Sequence, residues 1–199
     1  MKKESFFYVV IFTFIVAFIF VFIISLVNNA TSERVARNRE LVSAQAFLNA
    51  VGKNENDGTK ALSEFSNLFG PVEGESIVKA DINGNILLVK QFSGQGLWGT
   101  VTGVIAVNRD VSRIIGLDII SHEETPGLGG RIEEDWFKDQ FRGEAIPDSG
   151  IKVKKGEGGS DNNPDNGIVD GVTGASLTSA AMEVIVNNQI AELRKEAAE

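Results

Sequence analysis

Residues 170–179 read Asp-Gly-Val-Thr-Gly-Ala-Ser-Leu-Thr-Ser, a stretch dominated by small and hydroxyl-bearing side chains. The run from Leu177 to Leu193 then offers Met182, Val184, Ile185, Ile190 and Leu193 for a core face, which predicts a final helix. A chain of small residues entering a helix makes an anion site, because the first N–H groups lack intrahelical partners and the macrodipole places its positive end there. A simple cap, with Ser176 or Thr178 accepting from backbone amides, accounts for one hydroxyl and is worth about 1 kcal/mol. It does not account for Gly171, Thr173, Gly174, Ala175, Ser176 and Thr178 together, a composition that lets a bulky phosphate ester approach the backbone closely.

Other chemistries fail on spacing. Asp161-Asn-Asn-Pro-Asp-Asn-Gly167 places oxygens at positions 1, 3 and 5 of a calcium loop, but Asn166 replaces the turn glycine and Val172 replaces the bidentate glutamate. Gly174-Ala175-Ser176-Leu177-Thr178 misses the nucleophile elbow at its last position, and His122 is the sole histidine that could serve as base. With no cysteine, thiolate metal sites, iron–sulfur clusters and a cysteine nucleophile are excluded.

Two glycine-rich segments bear on the same site. His122-Glu-Glu-Thr-Pro-Gly-Leu-Gly-Gly130 follows a strand and Gly94-Gln-Gly-Leu-Trp98 opens one; neither has the spacing of a Walker loop or a dinucleotide fingerprint, and each reads alone as a turn. Loops at strand ends commonly build binding sites.

The elements that must carry these segments are α+β. Ile77 to Val89 reads as a hairpin around Asn83-Gly84, and Leu97 to Val107 with Val111 to Ser121 as a second around Asn108-Arg109-Asp110. Helices are expected over Thr31 to Val51 and Ala61 to Phe69, and the spacing of Ile132, Trp136, Phe137 and Phe141 predicts another. Ile151 to Lys154 reads as a short strand, and 156–167 as a solvated loop. Antiparallel hairpins with flanking helices, without a βαβ rhythm, are the expected architecture.

Seven of the thirteen phenylalanines lie in the first 22 positions, and Phe6 to Val27 carries no charge. As a helix this run spans about 33 Å, enough to cross a hydrocarbon core of about 30 Å. It is longer than a signal-peptide core and lacks a small-x-small cleavage site, so an uncleaved single-pass anchor is expected. The implied organisation is a tail over 1–5, a transmembrane helix over 6–27, a helical linker over 28–75 and one domain over 76–199. Lys2 and Lys3 are balanced by Arg34, Arg37 and Arg39, so charge alone leaves the orientation open. A formal net charge of −8 argues against nucleic acid as a partner.

Asp170, Gly171, Thr173, Gly174, Ala175 and Ser176 resemble the D-g-x-[ST]-g-A-[ST] motif of the covalent-FMN subunits of bacterial respiratory complexes, a family with one branch in the sodium-pumping NADH:quinone reductase and another in the Rnf electron-transport complex. His122-Glu-Glu-Thr-Pro-Gly-Leu-Gly129 resembles the H-x-E-T-P-G-L-G segment of that family, and Gly94-Gln-Gly-Leu-Trp98 is closer to the sodium-pump branch.

The resemblance implies FMN joined to Ser176 through a phosphoester made by a separate flavin transferase, with Asp170, Thr173, Gly174, Ala175 and Thr178 around it. It further implies that Trp98, His122, Glu124, Thr125, Pro126, Gly127, Leu128 and Gly129 lie beside the flavin ring. Most members carry threonine at the acceptor position, so Thr173 and Thr178 stand as alternatives to Ser176. The implied function is an electron-carrier subunit, inactive alone, relaying electrons within an ion-translocating complex of the bacterial cytoplasmic membrane, its C-terminal domain on the extracytoplasmic side. The alternatives are the Rnf branch or a stand-alone membrane-tethered flavoprotein.

Overall fold

The computed structural model describes residues 6–72, 74–155 and 163–198. The tail expected over 1–5, and residues 156–162 of the loop expected over 156–167, lie outside the described residues.

A single helix, α1, runs Phe6–Ala50. The sequence reading divides this stretch into an anchor and a later helix from Thr31, but no proline or glycine falls between Phe6 and Ala50, so nothing interrupts the backbone hydrogen bonding. Its first part is long and apolar enough to cross a membrane, and its phenylalanines and isoleucines are exposed. The chain divides into two compact units, Met1–Glu40 and Leu41–Glu199. The expected boundary at 75/76 therefore differs from the observed one, because the end of α1 and the helix α2 (Gly58–Phe69) bury Phe47, Leu48, Ala61 and Phe69 together with residues of the sheet.

In the second unit, β1 (Ile77–Ile82), β2 (Asn85–Gln95), β3 (Thr100–Asn108) and β4 (Ile114–Ser121) form an antiparallel sheet in chain order. The β1–β2 turn is the expected one: Asn83 and Gly84 both take positive φ, and Asp81 Oδ1 accepts from the Gly84 amide at 2.7 Å. Alternation along β2 and β3 serves two cores. Leu88, Phe92, Val101 and Ile105 join Met182, Ile185, Ile190 and Leu193 of the last helix, while Leu87, Val89, Val104 and Ala106 join the end of α1 and α2. A sheet covered on both faces explains why β3 reads as a nearly unbroken apolar run.

Three elements differ from the sequence reading. β2 continues six residues past Val89, so Gly94 is a strand residue and not a turn: Ile185 of the last helix crosses where its Cβ would stand. β4 begins at Ile114 because Asn108 Oδ1 accepts from the amides of Ser112 and Arg113, lengthening the preceding turn. The helix expected over 132–141 is broken into 3-10 turns at Gly129–Glu133 and Asp139–Phe141 around the single turn α3 (Asp135–Lys138), with extended backbone at Glu134. Ile132, Phe137 and Phe141 are nonetheless fully buried.

The short strand β5 (Lys152–Lys155) pairs in parallel with β6 (Ile168–Gly171), which the sequence reading does not contain. β6 leads through residues 172–175 into α4 (Ser176–Ala197) and delivers the hydroxyl-rich segment to a strand-to-helix corner.

Candidate functional site

Asp170 and Gly171 end β6, with the Asp170 backbone held by both ends of the Gln140 amide at 2.8 and 3.2 Å. Gly171 is required by close approach: a Cβ there would stand 2.8 Å from Ser179 Oγ and 3.0 Å from the Lys154 carbonyl. Gly174 is required by conformation, at φ +84°. Ala175, buried, then precedes the first helical residue, Ser176.

The hydroxyls of this segment have separate fates. Ser179 accepts from the Val172 amide and donates to the Ala175 carbonyl, both at 3.0 Å. Thr178, 1 % exposed, donates to Glu124 Oε2 at 2.6 Å. That burial and that bond remove Thr178 as an accessible acceptor for a cofactor phosphate. Ser176 and Thr173 are exposed and line a shallow cleft with Gly171, Gly174, Val153 and Glu183. The capping role open to Ser176 or Thr178 in the sequence is not taken up, since no side chain caps α4. By contrast Asp57 caps α2 through the amides of Thr59 and Lys60. Ser176, the first residue of α4, thus lies at the cleft on a helix start without a side-chain cap, which suits a phosphate.

The other two motifs meet this corner through one carboxylate. Glu124 is 4 % exposed; its Oε1 accepts from the amides of Leu97 at 2.7 Å and Trp98 at 3.1 Å, and its Oε2 from Thr178. Burial pushes the Glu124 carboxyl upward, but the hydrogen bonds from Thr178, Trp98 and Leu97, helped by the nearby His122, hold it below the usual carboxylate value. His122 Nδ1 accepts from the Glu124 amide at 3.2 Å, so Nε2 carries the proton toward Glu133 Oε2, also at 3.2 Å. Both ring nitrogens are therefore engaged within the 122–133 segment. Glu123 is exposed.

Thr125, Pro126, Gly127 and Leu128 form an exposed turn in which the Thr125 carbonyl accepts from the amides of Leu128 and Gly130. Gly129 is buried beneath it, where a Cβ would stand 2.5 Å from Thr178 Oγ1 and 2.6 Å from Glu124 Oε2. Leu128 reaches to 3.4 Å from the Cβ position of Gly174. Four large apolar side chains are exposed at this corner: Leu97, Trp98, Leu128 and Leu177, with Trp98 68 % exposed. An uncapped helix start, a free hydroxyl and an apolar surface fit a cofactor with a phosphate at one end and a flat ring at the other. A larger groove lies at the hairpin tips around Asn83 and Arg109 and contains none of the motif residues.

Residues 96–191 match the family model of the FMN-binding domain.

The chain is 30% identical over 154 residues to the NqrC component of the Na(+)-translocating NADH-quinone reductase of Chlamydia muridarum, covering 69% of this chain and 45% of that protein. It is 36% identical over 92 residues to the same component from Vibrio vulnificus, covering 45% of this chain and 36% of that protein. The chain thus spans less than half the length of these curated relatives. The crystal structure of the NqrC component from Parabacteroides distasonis superposes with a TM-score of 0.66 at 25% identity, covering 80% of this chain and 93% of that one. The NqrC structure of Shewanella oneidensis shares the fold, with a TM-score of 0.66 at 19% identity over 82% and 99% of the two chains.

The burial of Thr178 and the inward set of Glu124 are invisible to sequence reading.

Proposed function

We propose that the chain is a membrane-anchored electron-carrier subunit of the sodium-translocating NADH:quinone reductase type, with FMN held through a phosphoester on Ser176. The observation that carries this reading is the start of α4, where an exposed, uncommitted serine hydroxyl lies on a helix that no side chain caps. The likeness to components of Na(+)-translocating NADH-quinone reductases supports the branch.

FMN, when bound, supplies the redox chemistry. The chain's own contributions are binding and orientation. Ser176 Oγ gives the attachment point and the first-turn amides of α4 receive the phosphate charge, an interaction worth roughly 0.3–1 kcal/mol and up to about 2 when partly buried. Leu97, Trp98, Leu128 and Leu177 offer the apolar surface for the ring, and the turn 125–128 lies beside it. Residues 6–27 cross the cytoplasmic membrane, the C-terminal domain lies on its extracytoplasmic side, and a flavin transferase and the other subunits of the complex are the partners.

Co-expression with a flavin transferase, followed by a denaturing gel and intact-mass measurement, tests this. The expected result is flavin fluorescence migrating with the chain, retained in Thr173→Ala and lost in Ser176→Ala. Absence of any adduct on residues 170–179 of the wild-type chain overturns it.

A further inference from the structure

Glu124 stands out among the motif residues because its carboxylate faces inward, away from the surface that would receive a cofactor. Three donors from two distant segments converge on it: the Leu97 and Trp98 amides 27 and 26 positions before it, and the Thr178 hydroxyl 54 positions after it. Two glycines are shaped around the same group. A Cβ on Gly96 would stand 2.5 Å from Glu124 Oε1, and one on Gly129 would stand 2.6 Å from Oε2. A buried carboxylate is costly unless its oxygens are satisfied, and here the donors that satisfy it belong to the loop bearing the exposed indole and to the first turn of the helix bearing Ser176.

We propose that Glu124 is a positioning residue: it clamps the 96–98 loop to the start of α4 and so fixes the Trp98 indole relative to Ser176, without touching the cofactor itself. The clamp deepens the FMN reading, and rests on it only in taking Ser176 as the point of attachment. A glutamine can replace it, since one amide oxygen accepts both backbone donors while the NH2 group donates to the Thr178 hydroxyl. An aspartate keeps the charge but is one methylene too short to span loop and helix.

The chain has two tryptophans, so Trp136→Phe leaves Trp98 as the sole indole reporter. In that background, time-resolved anisotropy of Trp98 is measured on the full chain purified without flavin transferase, for wild type, Glu124→Gln, Glu124→Asp and Glu124→Ala, with a melting curve for each. The expected result is a slow, restrained component in wild type and Glu124→Gln, lost in Glu124→Asp and Glu124→Ala. If Glu124→Ala does not fold, the Asp and Gln pair decides. A folded Glu124→Asp with unchanged anisotropy, or a Glu124→Gln as mobile as Glu124→Asp, overturns the clamp. The cofactor reading fails separately, if the wild-type chain co-expressed with flavin transferase carries no adduct.

Discussion

Thr178 Oγ1 donates to Glu124 Oε2 at 2.6 Å, with both residues nearly inaccessible to solvent, and this bond joins the start of α4 to the segment that follows β4. It places a hydroxyl from the acceptor motif in a structural role and leaves Ser176 and Thr173 to face the cleft.

Stability should carry the signature of this carboxylate. The folded-state Glu124 titrates below its ordinary value of 4.5, since donors outweigh burial. A depressed carboxyl contributes stability that is complete above the unfolded pKa and is lost as pH falls through the folded one. Urea unfolding of wild type and Glu124→Gln from pH 7 downward should therefore show a gap that narrows once pH drops below 4.5. Thr178→Val should cost about 2 kcal/mol at neutral pH, the worth of a hydrogen bond to a charged group.

Two glycines of the site should respond differently to the same substitutions. Gly174 is held at φ +84° with only an ordinary contact to Leu128, so Gly174→Ala should cost about 1–2 kcal/mol and Gly174→Asn less, asparagine tolerating left-handed backbone. Gly129 is constrained by Thr178 and Glu124, so Gly129→Ala should cost about 1–3 kcal/mol and Gly129→Asn at least as much. Thermal melting of the four variants checks the contrast.

A partly buried ion pair lies away from the site. Lys138 Nζ donates to Asp118 Oδ1 at 2.9 Å, and Asp118 also accepts from Asn49 and from the Ile119 amide. Burial pulls the Lys138 pKa down, but Asp118 and Asp135 raise it above 10.5 overall. Its stabilisation is complete below the unfolded value and lost as pH rises through the folded one. Lys138→Met should cost about 3 kcal/mol at pH 7 by leaving Asp118 without its cation, and adding Asp118→Asn should recover part of that loss in urea unfolding.

The sequence made some elements plain and concealed others for identifiable reasons. Asn83-Gly84 marked its hairpin because few other pairs accept positive φ twice. The extension of β2 was concealed because Lys90, Gln91, Ser93 and Gly94 look like a strand's end. Lys90 is in fact buried, donating to Gln189 and pairing with Glu192 of α4. β6 was concealed by its length, four residues whose pairing partners lie 16 positions earlier in the chain, Lys152 opposite Ile168. The three site motifs could be read from residue types and spacing; that one glutamate ties them together could not, since nothing local in 122–130 distinguishes an inward carboxylate from an outward one.

The order of contacts along the chain has a temporal consequence. β1 to β4 pair only with sequence neighbours, so the meander can assemble from short loops, whereas the bond from Lys90 to Gln189 on α4 closes across 99 residues. Local pairings form sooner than distant ones. The corner bearing Ser176 therefore takes its final shape only when the last helix docks, and a maturation enzyme that recognises this corner by shape would modify finished chains in preference to nascent ones.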